Sequence, residues 1–491
     1  MTAPTWAKKW AFSIFCVTAL VTVLTGCAVG PDFIRPQPPT VARYTSEAGP
    51  STTVSGDGQT QRFEPGAAVV AEWWRLFRSP MLDAVMTEAF ANNPTLQAAQ
   101  ASLRQSQETL QTGYGVFFPQ ADGSFAATRQ KFSSARFGQS VSSIFNLFTL
   151  STTVSYTLDV FGGERRAVES LQAQVDGQRA TMLATYLTLS GNIANTVIAQ
   201  AAYGAQIQAT EELIALEREQ LKITEVQAQT GTAPYANVLS IQSQLAAVEA
   251  TLPPLRQKVS QAEHLLATLA GRAPAERPPS PVTLADLVLP SDVPVTLPSE
   301  LVRQRPDILA AEAQLHSRSA EIGVATAALF PSVLLSGAYG VNNTVLSALF
   351  AGTSGFWSVG SNLAAPLFRG GTLWFQRKAA IAGYQQAEAT YRETVLSAFA
   401  QVADTLRALE HDAETLQAQS QALAAAAGAL RLIQANYQAG LANYLQVLAA
   451  NSQYHQAKLG YVQAVAQRLQ DTVALFVAAG GGWQRINALR P

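Results

Sequence analysis

The stretch NNPTLQAAQASL, residues 92–103, returns 212 positions later in the chain as QRPDILAAEAQL, residues 304–315. The matched positions keep one proline, three alanines and one leucine, namely Pro94/Pro306, Ala98/Ala310, Ala99/Ala311, Ala101/Ala313 and Leu103/Leu315. A second pair, GTAPYANVL (residues 231–239) and GLANYLQVL (residues 440–448), matches at an offset of 209. Self-similarity at a nearly constant offset is the signature of a repeated structural unit. The sequence therefore predicts a tandem duplication.

Each half of the duplication is predicted to contain a short helix, two strands, a long helix, a tight turn and a further helix. The turns are placed at Gly231 and Gly440, because glycine adopts the left-handed conformation that ends many helices. The predicted halves, connector and tail are residues 80–272 for the first repeat, 301–480 for the second repeat, 273–300 for a Pro-rich connector and 481–491 for a C-terminal tail.

Four segments show the alternation of a β-strand, and the clearest is LSTTVSYTLDV, residues 150–160. Val154 and Tyr156 fall on one face of this segment, whereas Thr153 and Ser155 fall on the other. Its 11 residues match the roughly 9 to 11 that a tilted strand needs to cross a bilayer. The weaker segments are residues 118–130, 330–341 and 356–368.

Alternation of this kind fits two structures, namely strands that cross a membrane and a soluble antiparallel sheet with one wet face. Four strands are too few to enclose a lumen, since the smallest single-chain outer-membrane barrels have about eight. If these strands cross the outer membrane, several chains must share one barrel.

Two long segments, residues 164–230 and 371–439, contain no proline and are rich in Ala, Gln, Leu and Glu. The first would form a helix of 67 residues, which is about 100 Å long. Helices of this length are rare in globular domains. The seam of the second segment mixes small residues with few large ones, which favours close approach to another helix over a solid leucine core.

The charge balance argues against a nucleic-acid partner. The chain has 33 Lys and Arg against 34 Asp and Glu, a net charge of −1, and it has no basic block that follows a phosphate backbone. After residue 27 no apolar stretch approaches the roughly 18 residues of a membrane helix.

The N-terminus has the pattern of a signal peptide, with Lys8 and Lys9 ahead of a mostly apolar run. The tetrapeptide LTGC that follows, residues 24–27, resembles the lipobox of bacterial lipoproteins. Residues 1–26 are therefore expected to be removed, and Cys27 is expected to carry the covalent lipid, palmitate included, of an anchored segment over residues 27–79. An ordinary secretory signal with an incidental cysteine is the alternative.

The sequence offers no catalytic site and no metal site. Its four histidines are far apart, and the HExxH, Walker A, GxSxG and GxGxxG patterns are absent. The carboxylate pair Glu211 and Glu212 is expected on a solvated helix face. We therefore expect that the protein is not an enzyme and has no cofactor apart from the lipid on Cys27.

An ordered set of motifs carries a family resemblance. They are the lipobox, EWWRLF (72–77), ANNPTLQAA (91–99), LPSELVRQRPDI (297–308), the strand led by Phe330-Pro331, PLFRGG (366–371) and YQAGLANYLQVL (437–448). Together they resemble the TolC-like outer-membrane efflux family, nearest its lipoprotein (NodT or OprM-like) branch, from Cys27 to about residue 480.

The resemblance implies a mostly α protomer with a small β part, in which four transmembrane strands adjoin long periplasmic helices. Closure as a homotrimer would give a twelve-stranded β-barrel and a twelve-helix α-barrel. The implied function is the lipid-anchored outer-membrane channel of a tripartite efflux system. It would conduct small molecules passively from a periplasmic adaptor (membrane fusion) protein and an inner-membrane pump to the exterior. The alternatives are a periplasm-facing helical scaffold lipoprotein and the exit channel of a type I protein secretion system.

In this family the two tip turns lie at the periplasmic end, where a gate closes. The resemblance implies these candidate gate and adaptor-contact residues: Gly231, Tyr235, Asn237, Tyr437, Gly440, Tyr444 and Gln446. Several relatives carry aspartates where this chain has Asn237, Gln446 and Ala449, so an acidic, cation-binding constriction is not expected. Tyr437 keeps an aromatic that in the family helps to hold the closed state. For Tyr235 and Tyr444, turn packing without a gating role is the alternative.

Overall fold

The computed structural model describes residues 28–47, 49–133, 142–276, 282–481 and 483. Cys27 and the signal segment lie outside these residues. The chain divides into two compact units. Among the described residues, the sheet unit comprises those up to Arg35, Leu103–Gln178 and Ala311–Tyr391, and the helical unit comprises Pro36–Ser102, Arg179–Ala310 and those from Arg392 onward.

The helices and strands of the described residues follow one another in this order: β1 (Arg62–Pro65), α1 (Pro80–Asn92), α2 (Pro94–Tyr114), β2 (Gln120–Ser133), β3 (Ser142–Leu158), α3 (Gly163–Gln229), α4 (Tyr235–Glu249), α5 (Leu252–Leu269), β4 (Asp292–Val295), α6 (Pro298–Gln304), α7 (Pro306–Ala327), β5 (Ser332–Asn343), β6 (Gly355–Ala364), α8 (Thr372–Gln438) and α9 (Tyr444–Ala478). The sequence α2-β2-β3-α3 is repeated as α7-β5-β6-α8. The chain is thus mostly helical with a small sheet, as predicted.

The sheet of the sheet unit has the strand order β2-β3-β5-β6, and every neighbouring pair is antiparallel. Each of the four strand segments predicted from the sequence lies largely within one of these strands. The observed β3 is longer than predicted, because its pairing with β2 continues back to Ser142. The sheet therefore has a two-stranded end in which β2 and β3 extend beyond β5 and β6.

The start of α3 is determined by Asp159, the residue that follows β3. Its carboxylate accepts the backbone N–H of Glu164 at 3.1 Å and that of Arg165 at 3.0 Å. Such a carboxylate satisfies N–H groups that lack a partner in the first turn of a helix. Val168, one turn later, packs in a buried cluster with Leu110 of α2. The strand therefore leads directly into a packed helix.

Two helices of 67 residues each, α3 and α8, contribute the largest part of the fold. Their ends lie within one residue of the ends predicted from the absence of proline. In the first half the returning helix is split into α4 and α5, and Pro253 and Pro254 lie in the first turn of α5. Proline is tolerated there but interrupts a continuous helix. No helix of the described residues is both long enough and apolar enough to cross a membrane.

The helical unit also contains a strand pair that the sequence did not predict. Strand β1 comes from the N-terminal segment and pairs in parallel with β4, which lies in the proline-rich connector. Trp73, of the EWWRLF motif, is 1% exposed, and its ring centroid lies 5.6 Å from that of Phe476 in α9. This motif therefore belongs to the core of the helical unit.

Candidate functional site

Two tip turns reverse the chain after the long helices, and the same backbone hydrogen bonds close both. In the first turn the backbone N–H of Thr232 donates to the carbonyl of Gln227 (2.8 Å), and that of Gly231 donates to the carbonyl of Ala228 (3.2 Å). In the second turn Leu441 donates in the same way to Asn436 (2.8 Å), and Gly440 donates to Tyr437 (3.0 Å). Gly231 has φ +79° and Gly440 has φ +73°, the left-handed region that favours glycine. This pattern is the Schellman motif, which satisfies the last carbonyls of a helix. Both predicted turn glycines are thus helix C-caps.

The second turn has a side-chain cap that the first turn lacks. The backbone N–H of Gln446 donates to Oδ1 of Asn443, and the backbone N–H of Asn443 donates to Oε1 of Gln446, both at 3.0 Å. This reciprocal pair satisfies two N–H groups at the start of α9. In the first turn Pro234 precedes α4 and makes no side-chain cap. Asn237, the counterpart of Gln446 in the repeat, is half-buried.

The tyrosines beside the two turns have different surroundings. The rings of Tyr437 and Tyr444 meet edge to face, with centroids 5.8 Å apart and planes at 63°. Tyr444 is 6% exposed and packs in a cluster with Ile241 and Val447, whereas Tyr235 is 65% exposed. Tyr444 therefore joins α4, α8 and α9 within one chain, and Tyr235 presents its ring to the surface.

Sequence reasoning missed Glu217, an acidic residue of α3 close to the same cluster. Its side chain is 0% exposed, and neither carboxyl oxygen has a hydrogen-bond partner in the described part of the chain. Burial raises the pKa of Glu217 to about 7, because poorly solvated surroundings disfavour the charged form. Burial also raises the pKa of Tyr444, with smaller contributions from Glu217 and Tyr437. No motif distinguishes Glu217 from the solvated glutamates of a long helix.

The carboxylate pair Glu211 and Glu212 lies on an exposed face of α3, as predicted. Glu211 forms an ion pair with Arg256 at 2.8 Å, and Glu212 forms one with Lys458 at 2.6 Å. Exposed pairs of this kind contribute little to stability. Among the described residues, no group of three or more His, Cys, Asp or Glu side chains is arranged to hold a metal ion.

The second candidate region is the sheet, whose two faces differ in polarity. The strand registers place these large apolar side chains on one face: Phe125, Phe148, Leu150, Val154, Tyr156, Leu158, Val333, Leu335, Tyr339, Val341, Trp357, Val359 and Leu363. The other face is mostly Ser, Thr and Asn, including Ser124, Ser151, Thr153, Ser155, Thr157, Ser336, Asn342, Ser358 and Asn362, with a few apolar residues such as Phe145 and Leu334. The two faces agree with the predicted alternation.

The apolar face is open in the single chain. Tyr339, Trp357 and Val359 are 70%, 75% and 80% exposed. An exposed apolar surface of this extent marks contact with a membrane or another protein. The outer strands β2 and β6 are each paired on one side only within the described residues, and such an edge is a template for a further strand.

Comparison with known proteins finds outer-membrane proteins that match most of the chain. The sequence profile of the family described as outer membrane efflux protein matches residues 85–272 and 297–481. The chain is 30% identical over 474 residues to the pyoverdine export outer membrane protein OpmQ of Pseudomonas putida, and the match covers 96% of this chain and 97% of that protein.

A second relative and a solved structure extend the comparison. The cation efflux system protein CusC of Escherichia coli O6:H1 is 26% identical over 474 residues, which cover 96% of this chain and 98% of that protein. The structure of the outer-membrane channel OprN is similar with a TM-score of 0.84 at 26% identity, and the match covers 93% of this chain and 100% of that chain.

Proposed function

Because the chain belongs to the outer membrane efflux protein family, we propose that three copies of it assemble into one channel that crosses the outer membrane and extends into the periplasm. The sheet is the observation that carries this proposal, since it is apolar on one face, mostly polar on the other and, within the described residues, unpaired at both edges. A transmembrane β-barrel needs an apolar outer face and a polar lumen.

The protein is an outer-membrane efflux channel and not an enzyme, as its family and relatives indicate. Channels of this family conduct passively and work without a cofactor. A periplasmic adaptor and an inner-membrane pump are its partners, and the pump supplies the energy for transport.

The number of strands supports a barrel shared by several chains, and the resemblance to the family implies that the chains are three. The described part of one chain supplies four strands to this sheet, whereas the smallest closed single-chain barrels have about eight. Three chains supply twelve strands, and the open edge of β2 in one copy would pair with the open edge of β6 in the next. The long helices α3 and α8, with the helices that return from the tips, would form the periplasmic tube.

We also propose that a lipid at the N-terminus anchors the protein in the outer membrane. We place the attachment at Cys27, which follows the lipobox and precedes the anchored segment over residues 27–79. The proposed division of the chain is otherwise the one expected from the sequence: a signal peptide (1–26), two repeats (80–272 and 301–480), a connector (273–300) and a tail (481–491).

We place the gate and the adaptor contact at the two tip turns. The residues concerned are Gly231, Tyr235, Asn237, Tyr437, Gly440, Tyr444 and Gln446. In the single chain Tyr437 and Tyr444 already join three helices, and Gln446 caps α9. Closure by packing and by neutral hydrogen bonds fits these contacts. The exposed Tyr235 is suited to contact a second copy or the adaptor.

Small organic molecules are the proposed cargo. OpmQ is named for pyoverdine export and CusC for cation efflux, so relatives of this chain differ in what they transport. Rings of charged side chains select ions in a pore. Asn237 and Gln446 are neutral, so these two positions form no acidic ring that favours cations.

Maleimide labelling of single cysteines tests whether one face of the sheet contacts lipid and the other contacts water. The cysteines are placed on the two faces, and the assembled protein is kept in the outer membrane. Cysteines at Val154 and Val359 are expected to react only with a lipid-soluble maleimide. Cysteines at Ser155 and Ser358 are expected to react with a water-soluble maleimide, and the native mass is expected to equal three chains. Equal reaction of all four positions with the water-soluble reagent favours the helical scaffold instead.

A further inference from the structure

Arg129 and Lys131 are the charged side chains on the apolar face of the sheet, as far as its strands are described. Both belong to β2, and because they are two residues apart they lie on the same face. Asp122, the other charged residue of these strands, lies on the polar face. Arginine and lysine are poorly tolerated at the middle of a lipid-facing surface and well tolerated at its edge. The position of the two cations along the strand is therefore informative.

The apolar band has a measurable height. It begins beside the helices with the row Leu158, Val333 and Leu363, and its uninterrupted part ends at Phe148, ten residues back along β3, where Asn146 separates it from Ile144. Ten residues span about 34 Å of strand at roughly 3.4 Å each, or about 26 Å of height for a tilt of about 40°. This equals the roughly 25 Å lipid-facing band of a membrane barrel.

The two cations lie immediately beyond this band. Arg129 is paired with Asn146 and Lys131 with Ile144, the next two positions after Phe148 on the same face. The guanidinium of Arg129 donates to the side-chain oxygen of Asn146 at 3.4 Å, a neutral partner. Neither cation forms an ion pair with a carboxylate in the described part of the chain. Both positive charges are therefore available to an anion outside the chain.

We propose that Arg129 and Lys131 bind the phosphate of a phosphorylated glycolipid headgroup in the outer leaflet of the membrane. The inference rests on the proposed function, since it requires the apolar face to lie in lipid with the helices on the periplasmic side. A guanidinium binds phosphate through two parallel hydrogen bonds, and an ammonium adds a point charge. The apolar stems of both side chains lie along the lipid while their charged ends reach the headgroups.

The test uses the full assembled chain, stripped of lipid in a non-ionic detergent. It is titrated with lipid A bearing two phosphates and with the same lipid after dephosphorylation, and bound lipid is counted by native mass spectrometry. The wild type is expected to prefer the phosphorylated form. The variant Arg129→Gln/Lys131→Gln is expected to lose about thirty-fold in affinity for that form only, since each cation near an anionic surface contributes about five-fold.

Two further variants keep the test specific. Thr128→Ala/Gln130→Ala changes the neighbouring residues on the polar face and is expected to leave lipid affinity unchanged. Lys131→Gln alone, at a position that is paired with the neutral Ile144 on β3, is expected to lose about five-fold. Unchanged affinity in the double Gln variant overturns the proposal, as does an equal loss in the polar-face control.

Inorganic phosphate separates a lipid site from a simple anion site. Millimolar inorganic phosphate is expected to leave the lipid bound, and displacement by phosphate overturns the lipid assignment. If the double Gln variant assembles and conducts normally but still prefers the phosphorylated lipid, the inference fails while the channel stands. If cysteines substituted at Val154 and Val359 react with the water-soluble maleimide, the proposed function fails as well.

Discussion

Asn443 and Gln446 cap each other at the start of α9, each side-chain oxygen accepting the backbone N–H of the other residue. Gln446 is also one of the residues that the family resemblance places at the gate. The first tip turn has the same backbone bonds but no such cap, because Pro234 takes the place of Asn443. The two turns are therefore alike in shape and different in how firmly they hold the returning helix.

Replacing Gln446 is expected to loosen the start of α9. Gln446→Ala removes the side-chain oxygen that accepts the backbone N–H of Asn443. The loss of this half of the cap is expected to destabilise the start of α9 by about 1 kcal/mol. Hydrogen exchange of the first amides of α9 is expected to be about five-fold faster, while Asn237→Ala leaves the first amides of α4 unchanged. Gln446→Glu keeps the cap and serves as the matched control. Equal effects of Gln446→Ala and Asn237→Ala contradict this assignment.

The buried acid Glu217 is expected to make stability depend on pH. Its pKa is raised to about 7 in the folded chain from a value of 4.5. As the pH rises, the unfolded state therefore releases this proton at a lower pH than the folded state does. The contribution of Glu217 to the free energy of unfolding is fully present below about pH 4.5 and is lost as the pH rises through about 7. The total loss is roughly 3 kcal/mol. The melting temperature of the wild type is therefore expected to fall across this range.

Glu217→Gln is expected to remove that part of the pH dependence, because an amide does not titrate. Glu211→Gln, which alters an exposed ion pair on the same helix, is the control and is expected to keep the wild-type profile. Parallel melting profiles of the wild type and Glu217→Gln between pH 4.5 and 8 contradict the account of Glu217.

Arginine scanning of β3 is expected to separate the two faces of the sheet. Arg at Val154 or Tyr156 destabilises a lipid-facing strand by roughly 2 to 4 kcal/mol near the midplane, whereas Arg at Thr153 or Ser155 points to the water-filled side and is tolerated. The urea midpoint of the protein assembled in vesicles measures the difference. Equal tolerance at all four positions is the result that a soluble sheet gives.

The parts of the fold that depend on local sequence could be predicted. Proline-free segments gave the ends of α3 and α8 within one residue, and period-two alternation identified the strands and their faces. These signals work because a helix or a half-buried strand imposes its period on neighbouring residues. The repeat then supplied the order of the elements.

The parts that depend on distant partners could not be predicted. Strands β1 and β4 have four residues each and pair across more than 200 positions of the chain, too short for any period to show. Glu217 is fully buried and lies close enough to Tyr444 of α9 to contribute to the raised pKa of that tyrosine, and nothing in the sequence around Glu217 indicates this. The spacing Asn443-x-x-Gln446 is a capping-box signature, so the role of Gln446 as a cap could have been found.

The lipid anchor is expected to depend on Cys27 alone. Cys27→Ser is expected to abolish incorporation of radiolabelled palmitate, whereas Cys16→Ser, inside the segment that is removed, keeps it. The trimer is expected to form without the lipid, since the proposed shared barrel would itself hold the protein in the membrane. Label that persists in Cys27→Ser shows that the lipoprotein interpretation is wrong.

The central claim, a passive channel closed at its tips, is tested most directly by single-channel conductance of the assembled protein in a planar bilayer. At pH 5.5 Glu217 keeps its proton, and the wild type is expected to conduct weakly. Tyr437→Ala combined with Gln446→Ala is expected to raise the conductance, because it removes the ring contact and half of the cap. Millimolar divalent cations are expected to block neither protein. A complete absence of conductance in correctly inserted assemblies of both proteins contradicts the channel itself.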